Sequence, residues 1–175
     1  MTNGREYGII RKTAIKRKER DDRMQFSPAE KYLFRQLTAP YVRHPLVCRM
    51  KHYIQHGSIS TFEHCLLVAK TAFWLNRRFQ LGADEAALVK VAMLHDFYLY
   101  DWHEKNAGHR WHGFTHPHKA AMNAQRCFPL CQREVQAIES HMWPLTLTKW
   151  PHGKEAWVLC LADKYCALQE TLWRR

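Results

Sequence analysis

Apolar positions along this chain recur at intervals of three and four, and most of the runs they form are bracketed by residues that start or stop helices. In SPAEKYLFRQL, Ser27 caps a helix with Pro28 in its first turn and Glu30 at the capping-box position, and Pro40 is expected to stop it. A shorter helical stretch is expected over 45–55, with Pro45 near its start and Gly57 as its break. Ser60 and Glu63 form a second capping box for a helix running to about Phe79, whose Phe62, Leu66, Ala69 and Phe73 keep a helical period until Gly82. Asp84 caps the next helix, apolar almost all round through Leu88, Val91, Met93 and Leu94 and therefore central, with His95 and Asp96 at its C-terminal end. Residues 98–114 have no clean period and read as a long loop, a length that in compact domains tends to serve function. Helices are then expected from Thr115, with Pro117 in the first turn, to Cys127; from Pro129 to about Met142, before Pro144; and over 154–173. No alternating strand pattern stands out. The fold class is all-α, an irregular helical bundle of six to seven helices.

Composition divides the chain unevenly. Residues 1–26 form a basic N-terminal arm holding Arg11, Lys12, Lys16, Arg17, Lys18, Arg20 and Arg23, and residues 27–175 form the helical domain. The formal charge of +11 favours anionic partners, phosphorylated small molecules and nucleic acid alike. A solvated or loosely helical arm is the preferred reading over a nucleic-acid binder. The six cysteines are scattered among apolar residues and read as reduced thiols; Cys127 and Cys131 have no second pair to complete a zinc site. No run approaches the roughly 20 apolar residues of a membrane span, and no apolar segment marks a secretory signal, so a cytoplasmic protein without membrane partners is expected.

Twelve histidines change the picture, because several stand beside acids at the ends of apolar helical segments. His95 and Asp96 are sequence neighbours and would point about 100° apart on an ideal helix, whereas at a frayed C-terminal turn both can reach one ion. Two polar groups brought to the edge of a core cost free energy unless paired or metal-bound. Further candidates occur once per helix: His64, His116, His141 and Asp163. Helical bundles commonly build metal sites this way.

With His64 in STFEHCLLVAK, His95-Asp96 in AMLHDFY and Asp163 in CLADKY, the chain resembles the HD superfamily of metal-dependent phosphohydrolases over residues 58–168. The resemblance implies an HD-domain-like bundle with metal ligands His64, His95, Asp96 and Asp163, and His95 and Asp96 at its catalytic centre. His116 in FTHPHKAAMNA and His141 in IESHMWP look like ligands of a second metal, with Asp96 bridging the two ions. The implied cofactor is one or two divalent ions, of manganese, iron, cobalt, nickel or magnesium, activating water against phosphorus. The HHE and GYP segments of the cyclic-di-GMP phosphodiesterases are missing, since Met142 follows His141; the arrangement is closer to the small stand-alone hydrolases.

Charge developing on phosphate oxygens calls for cationic donors. Arg110 and Lys119 are the leading candidates, joined by His109, His112, His118 and Lys164, although Lys164, as the neighbour of Asp163 pointing about 100° away, is more readily read as solvated. Asp101, His103 and Glu104 offer a general acid or simply a hydrated loop, and Trp102, Trp111, Trp143 and Trp150 offer base stacking or core packing. The expected activity is hydrolysis of a nucleotide or other small phosphate ester. The alternatives are a phosphodiesterase on a dinucleotide or oligonucleotide and a nucleotide sensor without turnover.

Overall fold

The computed structural model describes residues 24–56, 59–102 and 111–172, and among them seven α-helices and one small hairpin carry the fold. The helices are α1 (Pro28–Val42), α2 (Pro45–Arg49), α3 (Thr61–Arg78), α4 (Glu85–Leu94), α5 (His112–Cys127), α6 (Gln132–Ser140) and α7 (Gly153–Leu172). Strands β1 (Ile54–His56) and β2 (Ile59–Ser60) pair antiparallel, Ile54 opposite Ser60 and His56 opposite Ile59. The all-α class holds.

The caps act as the residue types dictate. Ser27 and Glu30 close a capping box on α1, and Ser60 and Glu63 another on α3. Asp84 accepts a 2.7 Å bond from the Ala87 amide at the start of α4. Leu88, Val89, Val91, Ala92, Met93 and Leu94 are all fully buried, so α4 is the central helix, with α3 packed along it and α7 packed against both. Helix α6 joins α5 to α7. At the other end of α3, Phe73 is fully buried against the rings of Phe26 and Phe34. Met24 is also buried, so the described chain is tied to the core before α1 begins.

One side chain holds the α3–α4 corner. Asn76 accepts from the Ala83 amide and donates to the Ala83 carbonyl, both at 3.0 Å, across a turn in which Gln80 and Gly82 take positive φ values. Asn76→Ala would leave two buried backbone groups without partners, at about 1–3 kcal/mol each. Denaturant unfolding should therefore show a loss of about 2–5 kcal/mol, and a loss below about 1 kcal/mol would count against this role.

Several element boundaries differ from expectation. Helix α1 runs past Pro40 to Val42: the proline forfeits one i→i−4 bond near the end of the helix, and burial of Tyr41 holds the last turn. The stretch 45–55 is not one helix; α2 gives way to a 3₁₀ turn (Met50–His52) and then to β1. Those strands are too short to show an alternating pattern. Helix α5 starts at His112, so the expected loop ends earlier and Pro117 lies inside the helix. Its first turn is closed by the Phe114 and Thr115 amides and by the Thr115 hydroxyl, all donating to the Trp111 carbonyl; Thr115 bonds backwards and is no cap. Helix α6 begins three residues after Pro129, capped by Glu134 accepting from the Cys131 amide at 2.9 Å. Cys65, Cys160 and Cys166 are buried, Cys48 and Cys127 half-buried and Cys131 exposed. No helix among the described residues is long and apolar enough to cross a membrane.

Candidate metal centre

Four histidines reach one point in the interior, and in each the Nδ1 atom is tied back to the protein. His95 follows the last residue of α4 and its Nδ1 lies 2.8 Å from the Ala92 carbonyl; His141 follows the last residue of α6 and its Nδ1 lies 2.7 Å from the Ile138 carbonyl. Carbonyls in the last turn of a helix have no intrahelical partner, so a histidine placed there finds an acceptor ready. His116, inside α5, does the same with the His112 carbonyl at 2.8 Å. His64, in the first turn of α3, places Nδ1 2.9 Å from the Glu170 carboxylate. A carbonyl only accepts, so these bonds put a proton on Nδ1 of His95, His116 and His141 and turn Nε2 inward as the atom that could bind an ion.

The inward atoms converge on two carboxylates. Asp96 lies in the turn after α4, where Asn123 anchors the following segment by donating to the Phe97 and Tyr98 carbonyls at 3.0 and 3.2 Å. Its two oxygens face different histidines. Oδ2 is 3.5 Å from His95 Nε2 and 4.0 Å from His64 Nε2; Oδ1 is 3.1 Å from His116 Nε2 and 3.5 Å from His141 Nε2. From α7, Asp163 Oδ1 stands 3.1 Å from His64 Nε2 and 3.7 Å from His95 Nε2. Three overlapping groups, His64–His95–Asp96, His95–His141–Asp163 and Asp96–His116–His141, each bring three ligand atoms within 4.8 Å of one another.

This arrangement is uncomfortable without a cation. His116 Nε2 and His141 Nε2 face each other at 3.0 Å in a buried space, so at most one of them can donate to the other. His95 Nε2 and Asp96 Oδ1 are buried and make no properly directed hydrogen bond, although a buried polar atom is rarely left so. Six nitrogen and oxygen donors with no thiolate among them suit divalent ions of borderline to hard character. The residues therefore fit a metal.

Charge is divided accordingly. Burial works against ionisation of Asp96 and Asp163, yet the surrounding histidines hold both carboxyls well below the usual carboxylate range. Burial also opposes the charged form of His64, but Asp163 and Glu170 outweigh it and push its pKa up to about 10. His141 goes the other way, down to about 3, through burial and the neighbouring His95 and His116.

Around the cluster are residues that sequence reasoning missed. Glu170, with its side chain fully buried, orients His64; it stands two helical turns after Asp163 on α7, and that seven-residue spacing was the available signal. Gln55 of β1 donates a 2.7 Å bond to Asp96 Oδ2 and accepts from the Tyr98 hydroxyl, which also contacts Thr61 Oγ1 at 3.0 Å. A polar residue in a three-residue strand offers no sequence signal.

The expected phosphate contacts are placed unequally. Lys164 turns back on its neighbour, donating to Asp163 Oδ2 at 2.9 Å and to the His141 carbonyl at 2.6 Å, so its ammonium stands at the rim of the cluster. His112 stacks between Trp102 and His116, and Lys119 lies over the Tyr100 ring at 4.6 Å. His118 is exposed and paired with Glu139 at 2.7 Å. His103, Glu104, His109 and Arg110 lie outside the described residues. Trp111 is exposed edge-on to Phe114, while Trp143 and Trp150 join Trp157 in a separate aromatic cluster.

Neither the comparison with curated proteins nor that with solved structures returned a match. The family model described as HD domain matches residues 61–168, from the first residue of α3 to within five residues of the end of α7. That span contains all six converging histidine and aspartate side chains, and a match over more than half of the chain places it in the HD domain family of metal-dependent phosphohydrolases.

Proposed function

We propose that this protein hydrolyses a small phosphate ester, with a nucleotide the favoured substrate, using divalent ions held by His64, His95, Asp96, His116, His141 and Asp163. The observation that carries the reading is the common orientation of the histidines, each tied back through Nδ1 with Nε2 turned inward. Two ions are favoured over one because the two Asp96 oxygens face different histidines, His64 and His95 on one side and His116 and His141 on the other. Divalent ions bound there supply Lewis acidity, acidifying a water for attack on phosphorus and offsetting charge on the phosphate oxygens.

The chain's own residues do the rest. Asp96 and Asp163 stay ionised, Glu170 fixes the ring of His64, and Gln55 fixes the Asp96 carboxylate. Lys164, held at the rim by Asp163 and the His141 carbonyl, is the nearest described ammonium to the cluster and receives a phosphate oxygen. Lys119 and His112 are further contacts toward the segment after Asp96, exposed His118 is the outermost, and Arg110 is a candidate on its sequence alone.

Purified full chain supplied with manganese, cobalt, nickel or magnesium should turn over at least one member of a panel of nucleoside mono-, di- and triphosphates, a dinucleotide and an aryl phosphodiester. Turnover should need the ion and cease with chelator. Preference for the dinucleotide or the diester would move the assignment to a phosphodiesterase. Tight nucleotide binding with no turnover of any substrate would replace the enzyme by a sensor.

A further inference from the structure

Helix α7 is apolar on two opposite sides. Its inner side places Ala156, Leu159, Ala162, Cys166 and Glu170 against the rest of the bundle, all buried. At about 100° per residue, Trp157, Leu161, Tyr165, Leu168 and Leu172 fall within an arc of roughly 80° centred opposite that buried side. These five side chains are 39 to 59 per cent exposed, and Trp150, half-exposed and edge-on to Trp157 at 5.3 Å, extends the stripe. From Trp157 to Leu172 no charged residue falls on the arc; Lys154, in the first turn, does, and its ammonium lies beside Gly82. An apolar stripe at i, i+4, i+8, i+11 and i+15 is the pattern of a helix with partners on both sides.

We infer that this face of α7 is an interface between two copies of the chain, packed about a two-fold axis. Three observations select a second copy. The six side chains leave on the order of 700 Å² exposed, close to the roughly 800 Å² that each partner contributes to a standard interface. A stripe without charge is self-complementary, as a two-fold contact requires, since each residue must tolerate its own symmetry mate. The same lack of acids gives the basic residues of segment 1–23 nothing to pair with, so the chain's own N-terminal segment is a poor occupant. The aromatic end of the stripe, Trp150 with Trp157, supplies the type of side chain that anchors interfaces.

The test is the mass of the full chain in solution by light scattering and sedimentation, from about 1 to 100 µM, the range in which interfaces of ordinary affinity dissociate. The wild type should show the two-chain mass at the upper end. Leu161→Glu and, separately, Leu168→Arg should weaken association at least tenfold with far-UV circular dichroism unchanged, and Tyr32→Glu, exposed on α1, should not. A one-chain mass at every concentration overturns the inference, as does a dimer indifferent to both α7 variants. So does a monomer that begins to associate when residues 1–23 are deleted, because that segment would then be the occupant. Since the wild-type dilution series decides on its own, an α7 variant that fails to fold leaves the inference open to refutation.

Discussion

Asp96→Ala is expected to abolish hydrolysis and to empty the centre of divalent metal. Its carboxylate faces His64 and His95 with one oxygen and His116 and His141 with the other, so its loss removes a donor from both sides at once. Stabilising the reacting phosphate through metal ions accounts for several kcal/mol, and at 1.36 kcal/mol per tenfold the rate should fall by about 10³-fold or more. Metal analysis of the variant purified without chelator checks the first part and a saturating assay the second. Turnover within tenfold of wild type would remove Asp96 from the reaction.

Stripping the metal from the wild type should lower its stability by about 3–4 kcal/mol, measured against protein held at 100 to 1,000 times the dissociation constant of the ion. For a chain of this size that is a drop in Tm of roughly 10 °C, restored by adding the ion back. Proton competition fixes the sign of the pH dependence. His64, with its pKa pushed up to about 10, carries in the metal-free protein a proton that an ion must displace. His141, pushed down to about 3, is already neutral and gives up none. Metal affinity should therefore rise with pH through the neutral range, and a calorimetric titration in two buffers should record proton release. Affinity that falls between pH 6 and 8 would contradict the assignment of His64.

The converging histidines and aspartates were legible because several of them stand beside a signal of their own. The Ser60–Glu63 capping box fixes where α3 begins and hence that His64 lies in its first turn, and the apolar run of α4 points His95 and Asp96 at the core edge. The structure adds a reason that spacing alone does not carry: His95 and His141 sit just past helix ends, where unpaired carbonyls orient their rings. The hairpin escaped notice because two and three residues cannot display a period, and Gln55 went unseen with it. The start of α5 was misplaced because Pro117 was read as a first-turn residue, whereas the Thr115 hydroxyl and two amides close a turn ahead of it. Lys164 was read by its helical angle alone; a long flexible side chain can swing back on its own neighbour when a carboxylate and a carbonyl wait there. The outer stripe of α7 is in plain view in the sequence, yet spacing alone does not tell it from the side that faces the bundle.

The six proposed ligands come from five separate places: α3, the turn after α4, α5, the residue after α6, and α7. No short stretch of chain holds more than two of them, and His64 is 99 residues from the Asp163 it touches. A nascent or partly folded chain therefore offers an ion nothing better than a His-Asp pair in water. Full-strength metal capture becomes the last event of folding, and the amount of ion retained by a sample counts the molecules in which all five segments have arrived.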